Sequence, residues 1–184
     1  MSKSDLSSFQ NQGFEIGAGL FKRLCWYVFN AVVFNSHALL PYSVKAELLR
    51  WFGAEVGKGL VIKPHVNIKY PWKLKVGNHS WIGEGVWIDN LDHVSIGSNV
   101  CLSQGALILS GNHDYTISSF DLIIKPIVIE DGAWVGAKAI ITQGTVLGSH
   151  SVLVAGSVAS ADLLAYGIYR GNPAQKIKDR KIRR

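Results

Sequence analysis

The stretch Val76-Gly77-Asn78-His79-Ser80-Trp81-Ile82-Gly83-Glu84-Gly85-Val86-Trp87-Ile88 sets an aliphatic residue at every sixth position, and a small or β-branched residue four places after each of the first two. The register extends in both directions. Val56, Ile62 and Ile68 precede it; Ile96, Leu102, Ile108, then Ile129, Val135, Ile141, Leu147 and Leu153 follow. Gly stands directly after the aliphatic at 57, 77, 83, 97, 136 and 148, and the later small position is filled by Val66, Ser80, Val86, Val100, Ala106, Ala133, Ala139, Thr145, Ser151 and Ser157. A period of six matches neither a 3.6-residue helix nor simple strand alternation. It matches a short strand and a tight corner, repeated, with three sides closing a triangular coil of about 18 residues. The aliphatic points inward, the small residue fills the corner, and glycine eases the bend. The fold class is therefore all-β, a parallel β-helix over 56–158 in which stacked coils pair strand on strand.

Interruptions of the period are as informative. Ile68 to Val76 and Ile88 to Ile96 each span eight residues, which places a two-residue bulge at the same corner of two successive coils. Ile108 to Ile129 spans 21 residues, and 109–126 reads as a loop thrown out from the coil, the kind of place where a rigid scaffold carries chemistry.

The flanks read differently. Residues 1–55 form a helical cap, with helices expected over Leu20–Phe34 and Val44–Phe52; the first is apolar nearly all round. Packing against the coil end or another subunit is favoured for it over contact with a membrane surface. Residues 159–184 form an extension in which Gly171-Asn172-Pro173-Ala174 signals a turn and Gln175–Arg184 a short basic helix.

The chain of 184 residues is one folding unit's worth, and 48% of it is hydrophobic against 17% charged, a shortage of charge that buried subunit contacts would explain. The net charge of +6 is concentrated at the end: from Arg170 onward there are seven basic residues and one acid, Asp179. Such a terminus suits a phosphorylated cofactor, an anionic membrane surface or nucleic acid, or is simply a solvated tail; no nucleic-acid partner is expected. Cys25 and Cys101 are far apart and read as reduced thiols, the polar run from Met1 to Gln12 has no signal core, and Leu24–Phe34 is too short to span a bilayer. A cytoplasmic location, at most at the inner face of the membrane, is expected.

Gly111-Asn112-His113-Asp114 in the loop, Ile127-Val128-Ile129-Glu130-Asp131-Gly132-Ala133-Trp134-Val135-Gly136, and Gly171-Asn172-Pro173-Ala174 together resemble the hexapeptide-repeat O-acetyltransferases. Trp81-Ile82-Gly83-Glu84 and Val86-Trp87-Ile88-Asp89-Asn90 bring the likeness nearest to the colanic-acid type of exopolysaccharide acetyltransferase, with galactoside and maltose acetyltransferases more distant. The resemblance implies a left-handed coil, although parallel crossovers are normally right-handed. It also implies a homotrimer with sites between subunits, acetyl-CoA as co-substrate, and a sugar acceptor from a surface-polysaccharide precursor.

Within that resemblance His113 is the expected catalytic base, since an imidazole titrating near neutrality can take a proton from an alcohol and return it to a departing thiolate. Glu84, Asp89, Asn90, Gln104 and Asn112 are the candidates for acceptor binding; Asp89 and Asn90 serve equally well as a turn, and Asn112 and Asp114 as supports for the loop. Trp134, Gly136, Ala137, Ala155, Gly156 and Ser157 occupy the family's slot for coenzyme A, with a packed aromatic as the other reading of Trp134. Relatives commonly have Thr-Lys where this chain has Ser160-Ala161, and Lys or Arg where it has Gln175, so Arg170 and Lys176, with Lys138 and Lys178, are the replacement contacts for phosphate. His37, His65, His79, His93 and His150 read as surface or packing residues. A zinc carbonic anhydrase of similar fold needs three convergent imidazoles, and His93 and His150 stand at offsets from His113 that are not multiples of the coil; no metal is expected. A non-catalytic β-helix scaffold is the alternative, against which only the histidine loop speaks.

Overall fold

The computed structural model describes residues 3–10 and 13–183. Its body is a three-faced parallel β-helix. The first face carries β1 (Glu55–Val56), β4 (Leu74–Val76), β7 (Val94–Ile96), β12 (Ile127–Ile129) and β15 (Val146–Leu147), stacked in that order. The second stacks β2 (Val61–Ile62), β5 (Trp81–Ile82), β8 (Cys101–Leu102), β13 (Trp134–Val135), β16 (Val152–Leu153) and β18 (Gly167–Gly171), with β19 (Ala174–Asp179) added at its end. The third stacks β3 (Asn67–Ile68), β6 (Trp87–Asp89), β9 (Leu107–Leu109), β14 (Ile140–Ile141) and β17 (Val158–Ala159). Between β9 and β12 a small antiparallel hairpin, β10 (Gly111–His113) and β11 (Leu122–Ile124), leaves the coil.

The registers follow the hexads. Val76 pairs with Ile96, Ile82 with Leu102 and Ile88 with Ile108, so each aliphatic ladder rises straight through the spindle. Ile62, Ile68, Ile88, Ile108, Ile129, Val135, Ile141, Leu147 and Leu153 have no exposed surface, and each contributes about 1.5–3 kcal/mol by leaving water. The small residues at Val66, Ser80, Val86, Ala106, Ala133, Ala139 and Ser157 are likewise buried, in the corners.

Glycine's part differs from the expectation. The bend is made one residue before each buried corner residue, where the backbone is left-handed whether the residue is Gly, as at 85 and 156, or His65, His79, Asn99, Lys138 and His150 with φ of 55–58°. The glycines that follow the aliphatics serve close stacking instead: a Cβ on Gly136 would sit 2.4 Å from the nitrogen of Ala155 in the next coil. Three of the histidines are thus corner residues.

Helix α1 (Leu20–Phe29) continues through a π-helical turn to Phe34, and α2 covers Tyr42–Trp51. Trp26 packs on Phe34 and on Phe52, and Leu48 and Leu49 join the spindle core, so the two helices close the first coil. No described helix is long and apolar enough to cross a membrane. The basic C-terminal helix expected over Gln175–Arg184 is corrected: Ala174–Asp179 is strand β19, antiparallel to β18, and Arg184 lies outside the described residues. The open edge of the last coil offers unpaired backbone groups, and a chain reversing at Asn172-Pro173 satisfies them as a strand, whatever its charge. The second face therefore runs on beyond residue 158, with β18 parallel to β16.

Candidate active site

His113 ends strand β10, where the chain leaves the corner between the third and first faces. Asn112 Oδ1 accepts a hydrogen bond from the backbone N–H of His113 at 2.8 Å, which turns the chain there. The ring is held by two contacts with Phe120. Its Nδ1 lies 2.8 Å from the carbonyl oxygen of Phe120, and the two rings stack at 4.6 Å and 10°. A carbonyl only accepts, so Nδ1 carries the proton and Nε2 is left with its lone pair. Phe9, from the N-terminal segment, also tilts against the histidine ring, at 5.8 Å. That segment is tied to the same hairpin by the backbone N–H of Asp5 to the carbonyl of Ser118 and by the N–H of Gln10 to Asp121 Oδ1. Phe120 itself has φ of 55°, an uncommon conformation for a bulky residue and one that tends to accompany functional strain. Asp114 accepts from both the N–H and the hydroxyl of Thr116, at 2.9 and 2.5 Å, and these hydrogen bonds hold its carboxyl below the usual carboxylate range.

Below the hairpin, at the same corner, sit the two bulges. Asn90 is fully buried, and its amide accepts from the N–H of Tyr70 at 2.9 Å and donates to the Tyr70 carbonyl at 2.6 Å. Its hydrogen bonds go to the bulge, which is the turn role. Asp89 remains partly open. Lys69 Nζ lies 2.8 Å from its Oδ1, an ion pair off the line of a hydrogen bond. Asp89 pairs across the sheet with Leu109, four residues before His113, and also lines a cavity of about 420 Å³ with Arg23, Tyr27, Asn67, Tyr70 and Trp87. Lys73 ties this corner to the N-terminal segment by donating to the carbonyls of Leu91 and Glu15, and burial pulls its ammonium below the usual range.

Glu84 and Gln104 are elsewhere. They stand exposed at the corner between the second and third faces, in a column where Gly105 N–H bonds the carbonyl of Glu84, Lys138 that of Gln104, and Gly156 that of Ala137. Above them the column carries the small residues Gly136, Ala137, Ala155 and Gly156, with Lys138 the one long side chain, exposed and packed over Gly105. Trp134 flanks it on the second face, 46% exposed, with its indole N–H donating to Ser103 Oγ at 2.8 Å. Ser157 is buried, and its hydroxyl accepts from the N–H of Gly171 at 3.1 Å. This link brings the β18–β19 hairpin over the column, with Arg170 and Lys178 exposed and Lys176 ion-paired to Asp179 at 2.7 Å. Within one chain the third face separates this column from His113, a side of six residues and on the order of 20 Å. The candidates thus fall into two groups: Asp89, Asn90 and Asn112 with His113, and Glu84 and Gln104 with the small-residue column.

Sequence reading did not reach Phe120, Phe9 or the aromatic wall of the cavity. Phe120 lies where the repeat fails, and Phe9 is distant in sequence; neither position carries a periodic signal. Among the described residues, no cluster of three or more His, Cys, Asp or Glu side chains is arranged to hold a metal ion. His37 and His65 approach each other at 2.9 Å as an isolated pair.

No family model matches the sequence. The chain is 36% identical over 177 residues to an Escherichia coli K12 protein described as "putative colanic acid biosynthesis acetyltransferase WcaF", covering 96% of this chain and 97% of that one. Among solved structures, a hexapeptide-repeat-containing acetyltransferase of Vibrio cholerae O1 biovar eltor, complexed with acetyl coenzyme A, superposes with a TM-score of 0.82 at 21% identity, over 96% of this chain and 97% of that one. A maltose O-acetyltransferase of Clostridium difficile 630 superposes with a TM-score of 0.80 at 25% identity, over 89% and 88% of the two chains. Coils of opposite hand do not superpose, so the spindle is the left-handed β-helix characteristic of these proteins. With near-complete coverage at that identity, and the same coil in structure, the chain belongs to the hexapeptide-repeat acetyltransferase family.

Proposed function

We propose that this acetyltransferase moves an acetyl group from acetyl-CoA to a hydroxyl of a sugar in a surface-polysaccharide precursor, with His113 as general base. The observation that carries the reading is the hydrogen bond from His113 Nδ1 to the Phe120 carbonyl, which leaves Nε2 as the acceptor. Nε2 takes the hydroxyl proton as the sugar oxygen attacks the thioester carbonyl, and returns it to the sulfur as the C–S bond breaks. No acyl-enzyme is needed. Asp89, beside the aromatic-walled cavity, is the group suited to a sugar hydroxyl, and aromatic faces suit the apolar faces of a pyranose.

The small-residue column beside Trp134 fits a narrow pantetheine arm, for which backbone groups supply the hydrogen bonds. Arg170 and Lys178 on the last hairpin supply charge for the phosphates. We further propose a homotrimer in which one subunit's column meets the His113 corner of its neighbour. Two outer faces favour this: Trp81 and Trp134 project from the second and Trp87 from the third, all half-exposed, whereas the first carries the Lys75–Glu55 ion pair at 3.0 Å. Large exposed aromatics on two faces of a small protein mark association surfaces.

The test incubates the protein with acetyl-CoA and a panel of free, nucleotide-linked and lipid-linked sugars, reading free thiol. Thiol release with one class of acceptor is expected. Silence across the panel together with no binding of coenzyme A would replace the enzymatic reading with that of a scaffold.

A further inference from the structure

Helix α1 has its polarity reversed for a helix facing water. Its polar side chains are turned to the protein: Asn30 bonds Asn67 and the backbone of Ile68, Lys22 lies over the Trp72 ring at 5.2 Å, and Arg23 lines the cavity. Trp26 is inward too, 3% exposed, donating to the Ile68 carbonyl. The outer arc consists of Leu20, Phe21, Leu24, Tyr27, Val28 and Val32, with Phe21 82% and Tyr27 74% exposed. Isolated surface apolar residues are ordinary, but a continuous stripe is an interaction surface.

Length and charge identify the partner. With its π-helical turn the segment is 15 residues, about 22 Å, too short to span a bilayer and long enough to lie along one. Between Glu15 and Glu47 the chain has no acidic residue, while Lys22 and Arg23 open the helix. Lys22 and Arg23 are only half-buried, so beside the stripe they keep part of their positive charge at the surface with no acid next to them, which complements an anionic headgroup layer. We propose that the outer face of α1 docks on the surface of an anionic lipid bilayer. Leu20, Leu24 and Tyr27 belong both to the stripe and to the cavity wall, so docking sets the mouth of the Asp89 cavity at headgroup level, where a lipid-attached glycan would be presented. The docking is independent of the acyl-transfer reading, because lipid binding is measured without turnover.

The experiment co-sediments the full chain with vesicles of phosphatidylcholine alone and of phosphatidylcholine mixed with phosphatidylglycerol, beside Phe21→Ser/Val28→Ser/Val32→Ser and the single Phe21→Ser, with oligomeric state and circular dichroism recorded in parallel. The wild type is expected to pellet with the mixed vesicles and to be released by salt. The triple variant loses about tenfold or more in partitioning while keeping its helicity and oligomeric state. If the triple variant fails to fold, the single variant carries the test with a smaller loss in the same direction. Wild type remaining in the supernatant, variants pelleting as wild type does, or a variant that falls to a smaller oligomer would each overturn the proposal, the last by assigning the stripe to a second copy of the chain.

Discussion

The carbonyl oxygen of Phe120 lies 2.8 Å from Nδ1 of His113, and the Phe120 ring stacks on the same imidazole, so one residue fixes both the tautomer and the plane of the histidine. A seven-residue separation within one hairpin makes this possible. Phe120 reaches it by adopting a left-handed backbone with φ of 55°.

Phe120→Gly accommodates that backbone and keeps the carbonyl but removes the stacked ring. We expect kcat to fall roughly tenfold, as misorientation of a general base costs, with KM for acetyl-CoA unchanged. Steady-state kinetics on the active acceptor checks this; an unchanged kcat would make the stacking incidental.

Asp114 titrates below the usual carboxylate range because Thr116 donates to it twice. The folded-state value is depressed, so the hairpin gains stability above the unfolded value, near 3.8, and loses it as pH falls through the folded value. Thr116→Val leaves only the backbone donor and should move the Asp114 titration upward, toward 3.8, in a carboxyl-resolved NMR titration.

Arg170 and Lys178 are exposed, so their effect on nucleotide binding is long-ranged and screened. Arg170→Gln/Lys178→Gln should weaken coenzyme A binding by roughly three- to tenfold at low salt and by less at high salt. Calorimetry at two ionic strengths is the measurement.

Ile88 is fully buried in the third-face ladder between Ile68 and Ile108. Ile88→Ala should cost about 2–5 kcal/mol, since neighbouring coils cannot collapse into the gap, and denaturant unfolding would report it.

The spindle was legible because its constraint is local and repeated: each hexad must place an Ile, Leu or Val inward, and 14 positions do. Both bulges and the projecting segment were legible as failures of that rule. The C-terminal strand was not, because Gln175–Asp179 has no apolar period, and what makes it a strand is the free edge of β18. The placement of His113 on the hairpin was readable from its motif. Its partner Phe120, the Phe9 contact and the cavity under α1 depend on tertiary approach between segments with no common period. Asn90 illustrates the opposite limit: its type suits a sugar site, but full burial and two hydrogen bonds to Tyr70 commit it to the bulge.

The central claim is that one imidazole on the projecting hairpin performs the proton transfer. Thiol release by His113→Ala, at saturating acetyl-CoA and acceptor, tests it most directly. We predict a loss of about 10²–10⁴ in kcat with coenzyme A binding and circular dichroism unchanged. Turnover within about twofold of wild type would contradict the account, because a general base cannot be removed at so small a cost.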